Sequence, residues 1–123
     1  MYEGEWKDGK RHGKGKLEQR DLSEYEGAWA EGKKNGKGTL KILNPDPHDP
    51  TAVETYIGMF KDDNREGDGV YLYSDGTKYE GQWKQNERDG LGRQYDEDGK
   101  VLHEGVWEKD KFKGKVRKLR ANA

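Results

Sequence analysis

The sequence contains no cysteine, which excludes disulfide bonds, thiolate nucleophiles and every metal site built on cysteine. It has only three prolines and no segment resembling a signal peptide or a membrane span. The net charge of −1 gives no overall positive field of the kind that nucleic-acid binders carry. Hydrophobic residues make up 28% against 40% charged, a composition that by itself favours disorder.

Aromatic and glycine residues argue against disorder. Aromatics reach 11%, including four tryptophans, and the 18 glycines recur at fixed offsets. A regular arrangement of this kind indicates an ordered chain, although not one with a thick globular core. Glycines at fixed offsets indicate an internal repeat.

Five copies of one pattern run through the chain. The pattern aromatic-x-Gly-x-aromatic begins at five positions: Tyr2, Tyr25, Tyr56, Tyr79 and His103, where histidine replaces tyrosine. A further glycine follows eleven residues after each start: Gly13, Gly36, Gly67, Gly90 and Gly114. The starts are separated by 23, 31, 23 and 24 residues, so the second interval carries an insertion.

Each copy predicts an antiparallel β-hairpin, because its aromatic and glycine positions have a period of two and flank a polar turn. The predicted register pairs Trp6 with Gly13, Gly4 with Gly15 and Tyr2 with Leu17. All aromatics and glycines then share one face, and a glycine leaves room for a ring to lie against the backbone. The predicted fold is all-β, an elongated single-layer antiparallel meander of five repeated hairpins.

The pattern Tyr-x-Gly-x-Trp, a polar turn and Gly-x-Gly-x-Leu resembles the MORN repeat (membrane occupation and recognition nexus). The resemblance implies a single array over residues 1–123, with repeats at about 2–24, 25–55, 56–78, 79–102 and 103–118. A proline-rich insertion is placed at 44–54 and a basic tail at 117–123. Similar proteins include ciliary subunits, cytoskeletal scaffolds and segments of larger enzymes whose catalytic domain is separate.

We accordingly expect a non-catalytic protein-binding scaffold, or a structural subunit of a larger assembly, in the cytoplasm with the cytoskeleton or a cilium. The predicted binding surface is the aromatic face, for a peptide or a helix: Tyr25, Trp29, Tyr56, Phe60, Tyr79, Trp83 and Trp107. The other interpretation of these side chains is that they stack on one another as a core. Half-exposed Trp and Tyr favour binding, since a single-layer sheet is not expected to cover that face fully.

A second candidate surface is the basic C-terminal stripe, formed by Lys111, Lys113, Lys115, Arg117, Lys118 and Arg120. It predicts contact with an acidic surface or with phosphoinositide headgroups, against the alternative of a solvated tail. Specific nucleic-acid binding is not expected there, because only Phe112 interleaves the cations. A third possibility is a regulatory segment of a larger enzyme. Self-association through the open sheet edges is also expected.

No catalytic group, cofactor or metal site is predicted. The three histidines fall at different points of the repeat, and no activated nucleophile has a partner. His48 between Asp46 and Asp49 is too small a set for a metal site. The insertion that holds these residues and all three prolines is an excursion from the sheet, either a partner-specific loop or a tolerated surface insertion.

Overall fold

The computed structural model describes residues 1–20, 22–43 and 45–115, and they form one sheet without helices. The sheet has ten strands: β1 Tyr2–Lys7, β2 Lys10–Gln19, β3 Ser23–Ala30, β4 Lys33–Leu43, β5 Val53–Lys61, β6 Asn64–Leu72, β7 Lys78–Lys84, β8 Glu87–Tyr95, β9 Val101–Glu108 and β10 Lys111–Gly114. They lie side by side in chain order, and every neighbouring pair is antiparallel. The predicted all-β meander of five hairpins is confirmed.

The register within a hairpin is partly as predicted. Gly4 pairs with Gly15 as expected, and Tyr2 pairs with Leu17. The predicted pairing of Trp6 with Gly13 is wrong, because a β-bulge shifts the register after Gly4 and places Trp6 opposite Arg11. The bulge requires a left-handed backbone, which a glycine adopts without strain.

Gly13 has that conformation, with φ of 67°, and its partner is Trp29 of the next hairpin. Later repeats show the same pairing with the tryptophan of the following hairpin: Gly67 pairs with Trp83, and Gly90 pairs with Trp107. In the first four copies, the glycine eleven residues after the start therefore joins one repeat to the next and does not close its own hairpin. In the fifth copy Gly114 pairs instead with Val106 of its own hairpin.

A second set of glycines forms a continuous row across the sheet. Nine residues pair in succession from β1 to β9: Gly4, Gly15, Gly27, Gly38, Gly58, Gly69, Gly81, Gly92 and Gly105. Tyrosine rings lie against this row, as predicted: a Cβ on Gly38 would be 2.5 Å from Cζ of Tyr25. The tyrosine rings therefore pack directly against the backbone of the repeated glycines.

The aromatic side chains form the core, on one face of the sheet. The buried set is Tyr25, Trp29, Tyr56, Phe60, Tyr71, Tyr79, Trp83 and Trp107. The expectation that this face is left half-exposed is wrong, because the seven rings predicted there are only 0–4% exposed. Tyrosine and tryptophan rings meet edge to face both within and between repeats, for example Tyr25 with Trp29 at 5.0 Å and with Phe60 at 5.1 Å.

The insertion interrupts the sheet between β4 and β5. Leu43 pairs with Val53, so β5 begins before the predicted end of the insertion at residue 54. The described part of the loop is folded on itself by an isolated bridge between Asp46 and Asp49. Asp49 also accepts hydrogen bonds from the backbone N–H and the hydroxyl of Thr51, and these lower the pKa of its carboxyl.

Candidate functional site

The two faces of the sheet differ in what they leave accessible. The aromatic face holds the buried rings, whereas the opposite face carries the side chains that alternate with them. On the opposite face, side chains from β5 to β9 lie side by side in register as a row: Ile57, Val70, Glu80, Arg93 and Glu104. We call these five residues the central row.

The central row lies in an open groove of about 1020 Å³. The backbone of the glycine row forms part of the groove wall at Gly69, Gly81, Gly92 and Gly105. Since the lining comes from five successive strands and from the residue after β10, the sheet is concave on this face. The backbone of Gly69, Gly81 and Gly92 thus contacts tyrosine rings on one side of the sheet and lines the groove on the other.

Apolar side chains in and beside the groove are exposed. Leu91 and Ile57 line it and are 53% and 41% exposed. Leu91 pairs with Val106 across β8 and β9, and Val106 is also an exposed large hydrophobic residue. Apolar side chains gathered in a concave surface, with the core aromatics buried behind them, are typical of a site that binds another molecule.

Charges of both signs surround this apolar floor. Arg93 forms an ion pair with Glu104, and hydrogen bonds to Tyr95 and Glu104 raise the pKa of Arg93. Lys78 forms an ion pair with Glu80 at 2.9 Å, and the hydrogen bond within this pair raises the pKa of the lysine. The pair of Arg93 and Glu104 is exposed and that of Lys78 and Glu80 is half-exposed, so each contributes little to stability.

The predicted aromatic binding residues are brought together, but as packed core. A guanidinium covers the face of each buried tryptophan: Arg11 lies 4.6 Å from the ring of Trp29, Arg65 4.8 Å from Trp83 and Arg88 4.7 Å from Trp107. A partner on this side would meet these cations before the rings. Binding of a partner on the aromatic face stays a prediction.

Sequence reasoning missed these cations, although the signal was present. A basic residue stands nine positions after the start of each of the first four copies: Arg11, Lys34, Arg65 and Arg88. The groove residues left no such signal, because their identities change from copy to copy. Ile57 and Glu80 occupy equivalent positions but differ in polarity.

The basic stripe is described only in part. Lys111 and Lys113 lie in β10, and Lys115 follows that strand and lines the groove. Arg117, Lys118 and Arg120 lie outside the described residues. The structure therefore connects one predicted basic residue to the groove, and binding of an acidic surface stays a prediction.

Among residues 1–20, 22–43 and 45–115, no group of three or more His, Asp or Glu side chains is placed to hold a metal ion. The weak candidate His48 donates its backbone N–H to Asp46 at 2.9 Å, which is ordinary turn geometry. Within the same ranges no helix is long and apolar enough to cross a membrane.

Comparison with known families gives one assignment. The model of the MORN repeat matches residues 2–22, 25–42, 56–78 and 79–101. Apart from Val101, the fifth hairpin, β9 and β10, lies beyond these matches, in keeping with His103 at the first position of its repeat. No curated protein matches the chain. The matched segments cover the greater part of the sequence and coincide with four of the five hairpins, and the chain therefore belongs to the MORN repeat family.

Proposed function

We propose that this chain is a non-catalytic protein-binding module of a larger assembly, and that it holds an extended or helical segment of its partner in the groove. The observation that carries the proposal is the exposure of Ile57 and Leu91 in a concave surface. MORN repeats are in general binding modules, which supports the same conclusion. An assembly of the cytoskeleton or of a cilium remains the sequence-based prediction for where the module works.

The dimensions of the groove limit what it accepts. From β5 to β9 there are four strand spacings, or about 19 Å. That length fits about six residues of extended chain or a helix of about thirteen residues. The ligand would carry apolar side chains for Ile57 and Leu91, and charged groups for Arg93 and Glu104.

Selection of binding peptides from a random library tests the proposal directly. Peptides retained by the wild-type chain should lose binding at least about tenfold on Leu91→Glu, because a carboxylate would then stand on the apolar floor. Leu102→Glu is the matched control. The exposed fraction of Leu102 is 51%, similar to the 53% of Leu91, but Leu102 does not line the groove. The control variant should bind as the wild type does.

Two results would contradict this assignment. If peptides still bind the Leu91→Glu variant but no longer bind when the arginines over the tryptophans are replaced, binding takes place on the aromatic face. Binding to anionic vesicles at physiological salt, without any selected peptide, would favour the basic stripe instead. In that case neutralising Lys111, Lys113 and Lys115 should abolish vesicle binding, and added salt should weaken it steeply.

A further inference from the structure

A second row of side chains lines the groove opposite the central row. Asp68, Leu91 and Lys115 stand twelve residues after the starts of the third, fourth and fifth copies, and all three line the groove. We call these three residues the second row. Along β6 and along β8 a single glycine separates the second row from the central row. The groove therefore runs across the strands, between two rows of side chains.

The two rows differ in how their charges are balanced. In the central row the arginine and both glutamates are engaged in ion pairs. In the second row Asp68 and Lys115 are exposed, and neither forms an ion pair with another described residue. Within the described part of the groove, one carboxylate and one ammonium group are therefore left for a ligand, with Leu91 between them.

Asp68 reverses the charge that its position carries in earlier copies. The first two copies have Lys14 and Lys37 at this position. Lys37 pairs with Met59 on β5, so the change from lysine to aspartate falls at the β5 end of the groove. The groove thus has an acidic end at β6 and a basic end after β10, and it is apolar at Leu91.

The spacing of the second row limits the conformation of a ligand that contacts all of it. Asp68 lies in β6, Leu91 in β8 and Lys115 directly after β10, so successive members are two strands, or about 10 Å, apart. Two turns of α-helix, or seven residues, rise about 10.5 Å and return a side chain to the same face. An extended strand places side chains on one face at about 6.6 and 13 Å, and neither distance fits.

A polyproline II segment also fits the spacing, because it repeats every three residues, or about 9.3 Å. Such segments dock in grooves lined by aromatic rings. Here the buried rings of the core lie on the other face of the sheet, and the apolar side chains of the groove are Ile57, Val70 and Leu91. An aliphatic groove of this kind is suited to the apolar face of a helix.

We propose that the groove binds an amphipathic helix whose apolar face carries a basic residue at one end and an acidic residue at the other. The basic side chain lies at Asp68, and an apolar side chain about seven residues away packs on Leu91. The acidic side chain, about seven residues further on, lies at Lys115. The inference rests on the proposed function, and it adds the conformation and the charge pattern of the ligand.

Three synthetic helices test this charge pattern. Each is a blocked peptide of about sixteen residues, rich in alanine and glutamine, with leucines along one face and a side-chain staple on the other. The first has lysine at one end of the leucine face and glutamate at the other. The second has lysine at both ends, and the third has glutamate at both ends. Fluorescence anisotropy of the labelled peptides measures their affinity for the whole chain.

The wild type should bind the helix with lysine and glutamate about fivefold more tightly than either of the others. The reason is that each of the others places a like charge at one end of the groove. Leu91→Glu should weaken the binding of this helix at least about tenfold. Added salt should bring the three affinities together, because the charges of Asp68 and Lys115 are exposed.

Reversal of charge in the protein should change which helix is preferred. Asp68→Lys should bind the helix with two glutamates most tightly, and Lys115→Glu the helix with two lysines, each by about fivefold. Asp98→Lys and Lys84→Glu are the matched controls, since they make the same changes of charge at exposed positions that do not line the groove. Both controls should keep the preference of the wild type.

Other outcomes overturn the proposal. Equal affinity for the three helices, lost in each case on Leu91→Glu, would show that the groove does not distinguish their end charges, while the proposed function would stand. Tighter binding of a polyproline peptide with the same three side chains at three-residue spacing would exclude the helix. The helix would also be excluded if none of the three bound while library peptides still depended on Leu91. Helix binding that persists in Leu91→Glu would contradict the proposed function as well.

Discussion

The ring of Tyr25 lies directly over Gly38, on the neighbouring strand of its own hairpin. A Cβ on Gly38 would be 2.5 Å from Cζ of that ring, and the phenol donates to the carbonyl oxygen of Ala28 at 2.8 Å. The ring is therefore fixed from both ends, by contact with the bare backbone and by a hydrogen bond. Because the same arrangement recurs at Tyr56 and Tyr79, it is the structural unit of this thin core.

Gly38→Ala should destabilise the protein by about 2–3 kcal/mol, because the added methyl group overlaps a ring that has no free space to move into. The free energy of unfolding from urea titration measures this effect. Gly9→Asn is the control: Gly9 has φ of 77° and open space around its Cβ position, and asparagine tolerates that conformation. Equal losses of stability in Gly38→Ala and Gly9→Asn would contradict the conclusion that Gly38 is required because the ring of Tyr25 packs against it.

Stability should fall at alkaline pH because of the buried tyrosines. Burial raises the pKa of Tyr25 and of Tyr79 to about 12, from an ordinary value of 10.0. Above pH 10 the unfolded chain loses these protons while the folded chain keeps them, so stability is complete below pH 10 and is lost as pH rises towards 12. Unfolding and the appearance of tyrosinate absorbance should coincide in this range.

Tyr25→Phe combined with Tyr79→Phe should weaken this pH dependence. The double variant should also be less stable at neutral pH by about 1 kcal/mol per site, since the carbonyl oxygens of Ala28 and Gln82 lose their donors. Tyrosinate absorbance near pH 10 that is larger in the folded wild type than in the folded double variant would contradict the burial of these two rings.

The fold followed from the sequence because the residues that build it repeat. The tyrosine, tryptophan and glycine positions carry the same contacts in successive copies, so their spacing predicted strands, turns and the shared face. The strand partner of Trp6 could not be predicted from the sequence, because the spacing allows Gly13 to pair either with Trp6 in β1 or with Trp29 in β3. Only the backbone shows that a bulge assigns this glycine to Trp29.

The candidate site was not predictable in the same way. The groove depends on side chains such as Ile57 and Leu91, and the residues at the same positions of the other copies are not apolar. It also depends on the curvature of the sheet, which a pattern of alternating residues does not specify. Burial of the aromatic face was missed for a related reason: the cations that cover the tryptophans looked like solvated surface charge.

Arg88 should contribute to stability through the ring and the turn that it joins. Its guanidinium lies 4.7 Å from the ring of Trp107, donates to the carbonyl oxygen of Asp110 at 2.8 Å and pairs with the carboxylate of that residue at 3.2 Å. Arg88→Met keeps the aliphatic packing but loses these contacts, at a cost of about 1–2 kcal/mol. Thermal melts should show no comparable effect for Lys84→Met, on an exposed lysine. A similar loss in both variants would contradict a specific role for the guanidinium.

Adjacent residues in the turn between β7 and β8 should respond oppositely to substitution. Gln85 and Asn86 both have a left-handed backbone, with φ of 48° and 69°. The side chain of Gln85 is exposed and forms no hydrogen bond with the described residues, so Gln85→Gly relieves strain and should stabilise the protein by about 0.5–1 kcal/mol. The side-chain oxygen of Asn86 accepts the backbone N–H of Arg65 at 2.8 Å, so Asn86→Ala should destabilise it by about 1–2 kcal/mol.

Asn86→Asp is the matched test of that hydrogen bond. Asp63 and Asp110 stand at the equivalent positions of other turns, and their carboxylates accept the backbone N–H groups of Lys34 and Arg88 at 2.8 Å. The aspartate variant should therefore stay within about 0.5 kcal/mol of the wild type in urea titration. A loss as large as that of Asn86→Ala would show that the amide group, which donates to Asn64, is what holds the two hairpins together.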